Sequence, residues 1–449
     1  MPSNNNPNLN FDINQITLYD SIQYVIYHIL DTSYFLVKEQ MILVLKTADD
    51  IQAIKNTFFD SNYNDEEFTY FTNQEIEKVL NFQKTNEQFT ETPLIHLKAL
   101  SQELNVNNIY VKDESKRFGL NAFKVMGGVY AIGKYIAKKL GKNIEELTFE
   151  EMRSEETKEK IGEVTFISAT DGNHGRGVAW AARELGQKSV IYMPKGSSLT
   201  RLEAIKREGA LAEITDVNYD ETIRICDKLA KENDWIMVQD TAWEGYDEIP
   251  LWIMQGYSSI AKEIVEEIES SNLDVPTHVI LQAGVGSFAA GITGYLMHHY
   301  GADNIKIGIV EPNLADCYYR SFAHNGGEVE AVTGDMNSIM AGLCCGEPNT
   351  RAFRILKQYT HTFYSCSDSI AALGMRVLGN PLEPDEKIIS GESGAVPLGL
   401  LHYLMKENDE FKKAFNLDEK SNVVIINTEG DTDPQHYLDI VWKGKNSNM

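Results

Sequence analysis

Lys124 stands in KDESKRFGLNAFKVMGG, after Asn121-Ala122-Phe123 and just ahead of Gly127-Gly128. An amine among apolar neighbours at a helix start is poorly hydrated and lies beside the positive dipole end; both effects favour its neutral form. A neutral lysine amine is the nucleophile that Schiff-base chemistry with an aldehyde requires. A lysine taken alone reads better as a snorkelling surface residue, but Phe123 and the glycine pair shift the reading towards chemistry. A second group, SATDGNHGRG from Ser168 to Gly177, follows the apolar run VTFI. Thr170, Gly172, Asn173 and His174 fall at the turn into a helix, where backbone N–H groups can cradle a carboxylate and the Asn173 amide can donate to a phenolic oxygen. Asp171 sets a carboxylate inside that cradle. The plain alternative is a β–α turn with an aspartate cap.

Two further stretches complete the set. LQAGVGSFAAG supplies unhindered amides at Gly284, Val285, Gly286 and Ser287, suited to one phosphate at a helix N-terminus. The same residues also fit a relaxed dinucleotide fingerprint, Gly284-x-Gly286-x-x-Ala289, with Glu311 ending the next strand where a ribose-binding acid would stand. NTEGDTDP puts Thr428 after the apolar run VVII, where a hydroxyl can meet a ring nitrogen; a terminal loop is the alternative. Asp240, in VQDTAWEGY, is a second carboxylate expected to face the site, with capping of a helix near Glu244 as its structural alternative. Glu392, in SGESGAVP, is a weaker third.

These residues need elements to hold them. From about Pro93, short β-branched runs (NIYVKD, VTFISAT, SVIYMP, MVQDT, HVILQAG, KIGIVEP, VVIINTEG) alternate with amphipathic stretches such as GRGVAWAARELGQ and SLTRLEAIKREG. The alternation predicts an α/β protein of two lobes, each a mostly parallel twisted sheet flanked by helices, with ligands outside the carboxyl ends of the strands. The odd motifs fall there. LGKNIEELTFEEMRSEETKEKIGE reads as exposed connecting helices.

Composition narrows the classes further. Across 449 residues the net charge is −25, which disfavours nucleic acid and acidic membranes as partners. The five cysteines form no CxxC pair and no metal-ligand spacing with histidine, as expected in a reducing compartment. Cys344-Cys345 reads as core or turn filling. The start, MPSNNNPNLNFDINQ, lacks a basic leader, and IQYVIYHILDTSYFLV is interrupted by His28 and Asp31. A cytoplasmic protein is expected, its first fifty residues Asn-rich and then helical.

Lysine, Asn turn, glycine loop and C-terminal hydroxyl, in that order, resemble the tryptophan-synthase-β-like (fold type II) family of pyridoxal-phosphate enzymes. KDESKRFGLNAFK, ATDGNHGRGVAWAA, VQDTAWEGY, MAGLCCGEPN and TEGDTDP resemble most the members that release ammonia from 2,3-diaminopropionate, and the likeness runs from about Pro93 to His436. The resemblance implies pyridoxal 5′-phosphate as cofactor and a cleft between lobes as the site. It further implies a large domain of residues 51–136 and 242–449, an inserted small domain of 137–241, an extension over 1–50, and a homodimer. By position, Lys124 matches the cofactor lysine, Asn173 the partner of the 3′-oxygen, Gly284 to Ser287 the phosphate loop, and Thr428 the neutral partner of the pyridine nitrogen.

Thr170, Asp171 and Asp240 become the substrate-binding candidates, and Lys124, Asp171 and Asp240 the catalytic ones. Many of the relatives that the resemblance brings in, those that dehydrate serine or threonine, carry a small hydroxyl residue where Asp171 stands. Its carboxylate could take an α-proton from the face opposite Lys124 and attract the extra ammonium of diaminopropionate, whose substrate carboxylate would dock on the amides of the turn. Opposite charges about 4 Å apart are worth about 4 kcal/mol at an effective dielectric near 20, before desolvation. The resemblance thus implies α,β-elimination of either enantiomer to pyruvate and two ammonia. A serine or threonine dehydratase, a nicotinamide-dependent dehydrogenase and a metabolite-binding protein on the same scaffold stay open.

Overall fold

The computed structural model describes residues 33–37, 40–46, 50–62 and 66–447. Thirteen strands form two sheets. They are β1 Ser33–Val37, β2 Gln40–Lys46, β3 Ile51–Lys55, β4 Leu94–His96, β5 Asn108–Asp113, β6 Thr165–Ala169, β7 Lys188–Met193, β8 Leu211–Ile214, β9 Ile236–Met237, β10 His278–Gln282, β11 Lys306–Pro312, β12 Thr362–Cys366 and β13 Asn422–Asn427. The larger sheet runs β1-β2-β3-β12-β11-β10-β13-β5-β4 and the smaller β8-β7-β6-β9. The central run β12-β11-β10-β13-β5 is parallel, with β3 and β4 antiparallel at its flanks. The smaller sheet is parallel throughout. Strands covered by helices on both faces are buried along their whole length, which is why NIYVKD, HVILQ and NVVIIN read as unbroken runs.

The part of the apolar N-terminal segment expected to be helical that falls within the described residues is strand, β1 and β2. β2 pairs with β3 and lengthens the edge of the larger sheet. The rest of that segment lies outside the described residues. LGKNIEELTFEEMRSEETKEKIGE forms short helices at Phe149–Met152 and Glu155–Ile161, capped by Thr148 and Ser154. No helix among the described residues is long and apolar enough to cross a membrane.

Register and close packing place the segment that carries Lys124. β13 pairs with β5 so that Asn427 lies opposite Asp113 and both strands end together. The chain then turns through Glu114–Gly119 into the helix Val125–Leu140, and the Phe123 N–H donates to the Thr428 carbonyl at 3.1 Å. That helix crosses Asn173–Glu184 at Gly177, where a Cβ would come 2.8 Å from Val125 N, so only glycine permits the approach. Beneath the turn lies a fully buried ion network. Lys112 Nζ meets Glu263 at 2.8 Å, and Arg117 forks onto Glu263 (2.9 and 2.7 Å) and onto Glu114 (2.9 and 2.8 Å). Two cations and two carboxylates balance, as charges this far from water must.

Candidate active site

Carboxyl ends of strands from both sheets converge on one cavity, the place where ligands of α/β sheets bind. Lys124, Asn173, Asp240, the loop Gly284–Ser287 and Thr428 all line it, as the sequence predicted. Phe123, Tyr257, Cys345, Ser393 and Glu429 line it as well. Lys124 Nζ lies 3.2 Å from Asp240 Oδ2, with the amine 15% and the carboxylate 3% exposed. The expectation of a depressed lysine is corrected here. Burial does disfavour the charge, but Asp240, with Asp171 farther off, outweighs it and holds the amine above the ordinary lysine range. Desolvation pushes Asp240 the other way, yet Lys124 and His174 keep it ionised and below the usual carboxylate range.

Asp240 does not cap a helix. The next helix, Glu248–Ser270, begins seven residues beyond it at Asp247. Its backbone carbonyl accepts the Ser287 hydroxyl and, at 3.2 Å, the Asn349 amide, tying it to the glycine loop. His174 is buried behind it, its Nε2 bonded to the Val238 carbonyl at 2.9 Å and its Nδ1 3.9 Å from Asp240 Oδ2. Burial holds this imidazole below its ordinary range.

Gly286 adopts φ +92° as the cap of the helix Ser287–Tyr300, and a Cβ there would overlap the Tyr318 hydroxyl. A bare loop ahead of first-turn N–H groups that have no intrahelical partner is a fitting seat for a phosphate. At Thr428, Gln282 Nε2 donates to Oγ1 at 2.8 Å, which leaves the threonine's own hydrogen for an acceptor such as an unprotonated ring nitrogen. Asn173 points into the same space, one amide hydrogen given to Glu429 Oε2 at 2.5 Å and the other free of that bond. The donor set fits an aromatic phosphate ester bearing an aldehyde.

Glu429 escaped the sequence reading although it sits in TEGD beside Thr428. A carboxylate at a strand's carboxyl end was the available signal. Burial raises its pKa, while Arg201 and the Asn173 bond oppose that shift. Three candidates lie outside the cavity. Thr170 is fully buried, and its Oγ1 accepts the N–H groups of Gly172 and Gly175, both at 2.9 Å, so it builds the turn. Asp171 lines an adjoining wider cleft and is 16% exposed; the cap residue of its helix is Gly172, with no side-chain cap bond. Glu392 turns away to His436 Nδ1 at 2.5 Å. Glu311, the supposed ribose acid, is buried and accepts the N–H groups of Tyr318 (2.9 Å) and Tyr319 (2.7 Å). Spent in this way, it removes the support for the nicotinamide reading. All five cysteines are free; Cys345 is core lining of the cavity and Cys344 is half-buried.

A two-sheet α/β scaffold that brings a buried lysine, a glycine loop and a threonine hydroxyl to one cavity is that of a fold type II pyridoxal-phosphate enzyme. The chain belongs to the pyridoxal-phosphate dependent enzyme family, whose signature matches residues 86–429. Within it, the chain is 49% identical over 401 residues to a diaminopropionate ammonia-lyase of Escherichia coli strain K12, covering 88% of this chain and 98% of that one. The crystal structure of the Escherichia coli diaminopropionate ammonia lyase in complex with D-serine superposes with a TM-score of 0.82 at 46% identity, over 88% of this chain and 98% of that chain. A catabolic L-threonine dehydratase of Staphylococcus aureus is 27% identical over 79% of this chain and 88% of its own.

Proposed function

We propose that this chain catalyses α,β-elimination of 2,3-diaminopropionate, converting it with one water to pyruvate and two ammonia. The observation that carries the reading is the pair Lys124–Asp240, 3.2 Å apart in a cavity that also holds the glycine loop and Thr428. The 49% identity to a diaminopropionate ammonia-lyase supports the substrate. Lys124 would hold the cofactor at its aldehyde, Asn173 at its ring oxygen, Gly284 to Ser287 at its phosphate and Thr428 at its ring nitrogen. Bound there, the cofactor withdraws electrons from the substrate's α-carbon and makes the α-proton removable.

Lys124 must lose a proton before its amine is nucleophilic, and Asp240 is the acceptor within reach. The freed amine then takes the α-proton of an L-substrate, and Asp171 takes that of a D-substrate. Asp171 also attracts the substrate's β-ammonium. The β-nitrogen, already an ammonium, departs as ammonia and needs no further proton, while Lys124 or Asp171 keeps the α-proton it has taken.

In this reading the reaction occurs in a cleft between a large domain, 51–136 and 242–449, and an inserted small domain, 137–241, with residues 1–50 as an extension. The enzyme works as a cytoplasmic homodimer. Five unpaired thiols suit a reducing compartment, and the dimer rests on the family resemblance.

The test is stoichiometric. Holoenzyme supplied with diaminopropionate should release two ammonia per pyruvate, and borohydride should fix the cofactor on a peptide containing Lys124. A marked preference for serine, with one ammonia per pyruvate, would mean a dehydratase. A colourless protein that cannot be reconstituted with pyridoxal phosphate would overturn both.

A further inference from the structure

An asparagine amide presents an oxygen at one end and two N–H donors at the other, and its terminal torsion is broad. Nothing local to the Asn173 turn decides which end faces a ligand. Glu429 decides it. Its carboxylate, buried in the cavity wall, accepts one Nδ2 hydrogen of Asn173 at 2.5 Å. An ionised carboxylate can only accept, so the nitrogen end is fixed on Glu429 and the second hydrogen leaves at the set angle of a planar amide. Arg201 is near enough to favour that ionised form. Glu429 is itself braced. Oε1 accepts the Ser393 N–H at 3.2 Å, and a Cβ at Gly391 would come 2.9 Å from both Cγ and Oε1 of Glu429. Its backbone carbonyl accepts the Gly391 N–H at 2.9 Å, and its chain pairs antiparallel with Ala122, two residues before Lys124.

Asn173 follows β6 of the smaller sheet and Glu429 follows β13 of the larger, so this bond ties the two sheets together at the wall of the cofactor cavity. Thr428, the neighbour of Glu429, is the candidate partner of the ring nitrogen, so one short stretch of chain addresses two edges of the same ring. We propose that Glu429 is a positioning residue for the cofactor: by taking one amide hydrogen of Asn173 it presents the other to the 3′-oxygen. This rests on the reading above, in which Asn173 meets the cofactor's ring oxygen, and deepens it. Without Glu429 the amide turns about its own torsion, and the donor is no longer held in place.

The test uses two cofactors that differ only in that oxygen, pyridoxal 5′-phosphate and 3-deoxypyridoxal 5′-phosphate. Each is titrated into the full-length protein stripped of cofactor and followed by tryptophan fluorescence. Wild-type protein should bind the first about 10-fold or more tightly than the second. Glu429→Leu should weaken pyridoxal phosphate by about 10-fold and leave the deoxy compound within about 3-fold. Glu429→Gln, whose amide oxygen still accepts the Asn173 hydrogen, should stay within about 3-fold of wild type for both. Asn173→Ala should match Glu429→Leu, and the two substitutions together should lose no more than either alone. Equal losses for the two cofactors, no loss for either, or a Glu429→Gln loss as large as that of Glu429→Leu overturn the assignment. If Glu429→Leu does not fold, Glu429→Ala is read against the same pair and decides in the same way. An Asn173→Ala protein that binds both cofactors as wild type does would instead defeat the reading that puts Asn173 at the ring oxygen, a distinct outcome.

Discussion

Asp171 and Asp240 are the same chemical group in unlike settings. Asp240 is buried, with Lys124 at 3.2 Å on one oxygen and Gln239 Nε2 at 3.3 Å on the other. Asp171 is partly exposed in the outer cleft, and its Oδ2 has no hydrogen-bond partner. The first suits proton exchange with the lysine, and the second suits an incoming substrate. Asp171→Asn should therefore lower turnover of the D-enantiomer by about 10²-fold or more while L-turnover changes only a few-fold; equal losses, measured as pyruvate release from each enantiomer, would dissolve that division. Most of these residues were legible because each follows a strand, where ligands of α/β sheets bind. Glu429 was not, since it stands in a loop-like TEGD and becomes informative only when the Asn173 turn brings an amide to it at 2.5 Å. The charge state of Lys124 was misjudged for a similar reason. Its local setting argues for a neutral amine, but the carboxylate that reverses the balance comes from 116 residues away.

At the scale of elements, the strands that could be read were those buried on both faces, where the apolar run is continuous. β12, Thr362–Cys366, is just as buried but carries hydroxyls and a thiol, and Ser365 is satisfied inside by Asp316 Oδ2 at 2.7 Å. Nothing in TFYSC announces that partner. β8, LAEI, is a short edge strand with two of its four residues exposed, and its pattern is too brief to stand out. Helix Glu248–Ser270 shows what such distant partners contribute, because its Glu263 neutralises both Lys112 and Arg117 beneath the segment leading to Lys124. Glu263→Gln leaves two buried cations facing Glu114 alone and should cost about 3–5 kcal/mol in urea unfolding. Glu155→Gln, which breaks a surface pair with Lys158, should cost less than about 0.5 kcal/mol.

For the whole molecule, acid is the condition to which two histidines respond. Burial lowers His278 to about 4 and His361 to about 4, and Lys306 adds to both shifts. His361 is also faced by His278 and Lys55, and its Nδ1 accepts the Ile307 N–H at 3.2 Å, a bond that protonation would break. Both are neutral when folded but charge near 6.5 when unfolded, so the unfolded chain binds more protons between those values. Their contribution is full above about pH 6.5 and is lost as pH falls towards 4, up to about 3 kcal/mol each. Thermal unfolding followed from pH 7 to pH 4 should show the decline, and His278→Gln should make it shallower.

Asp240 is held from two sides, its carboxylate by Lys124 and its backbone carbonyl by Ser287 and Asn349. A single residue thus ties Lys124 to the glycine loop. If the loop seats the coenzyme's phosphate and Asp240 takes the lysine's proton, as proposed, the two become one mechanical event, and an enzyme lacking that phosphate tail would be loosened at its proton acceptor as well as at its anchor.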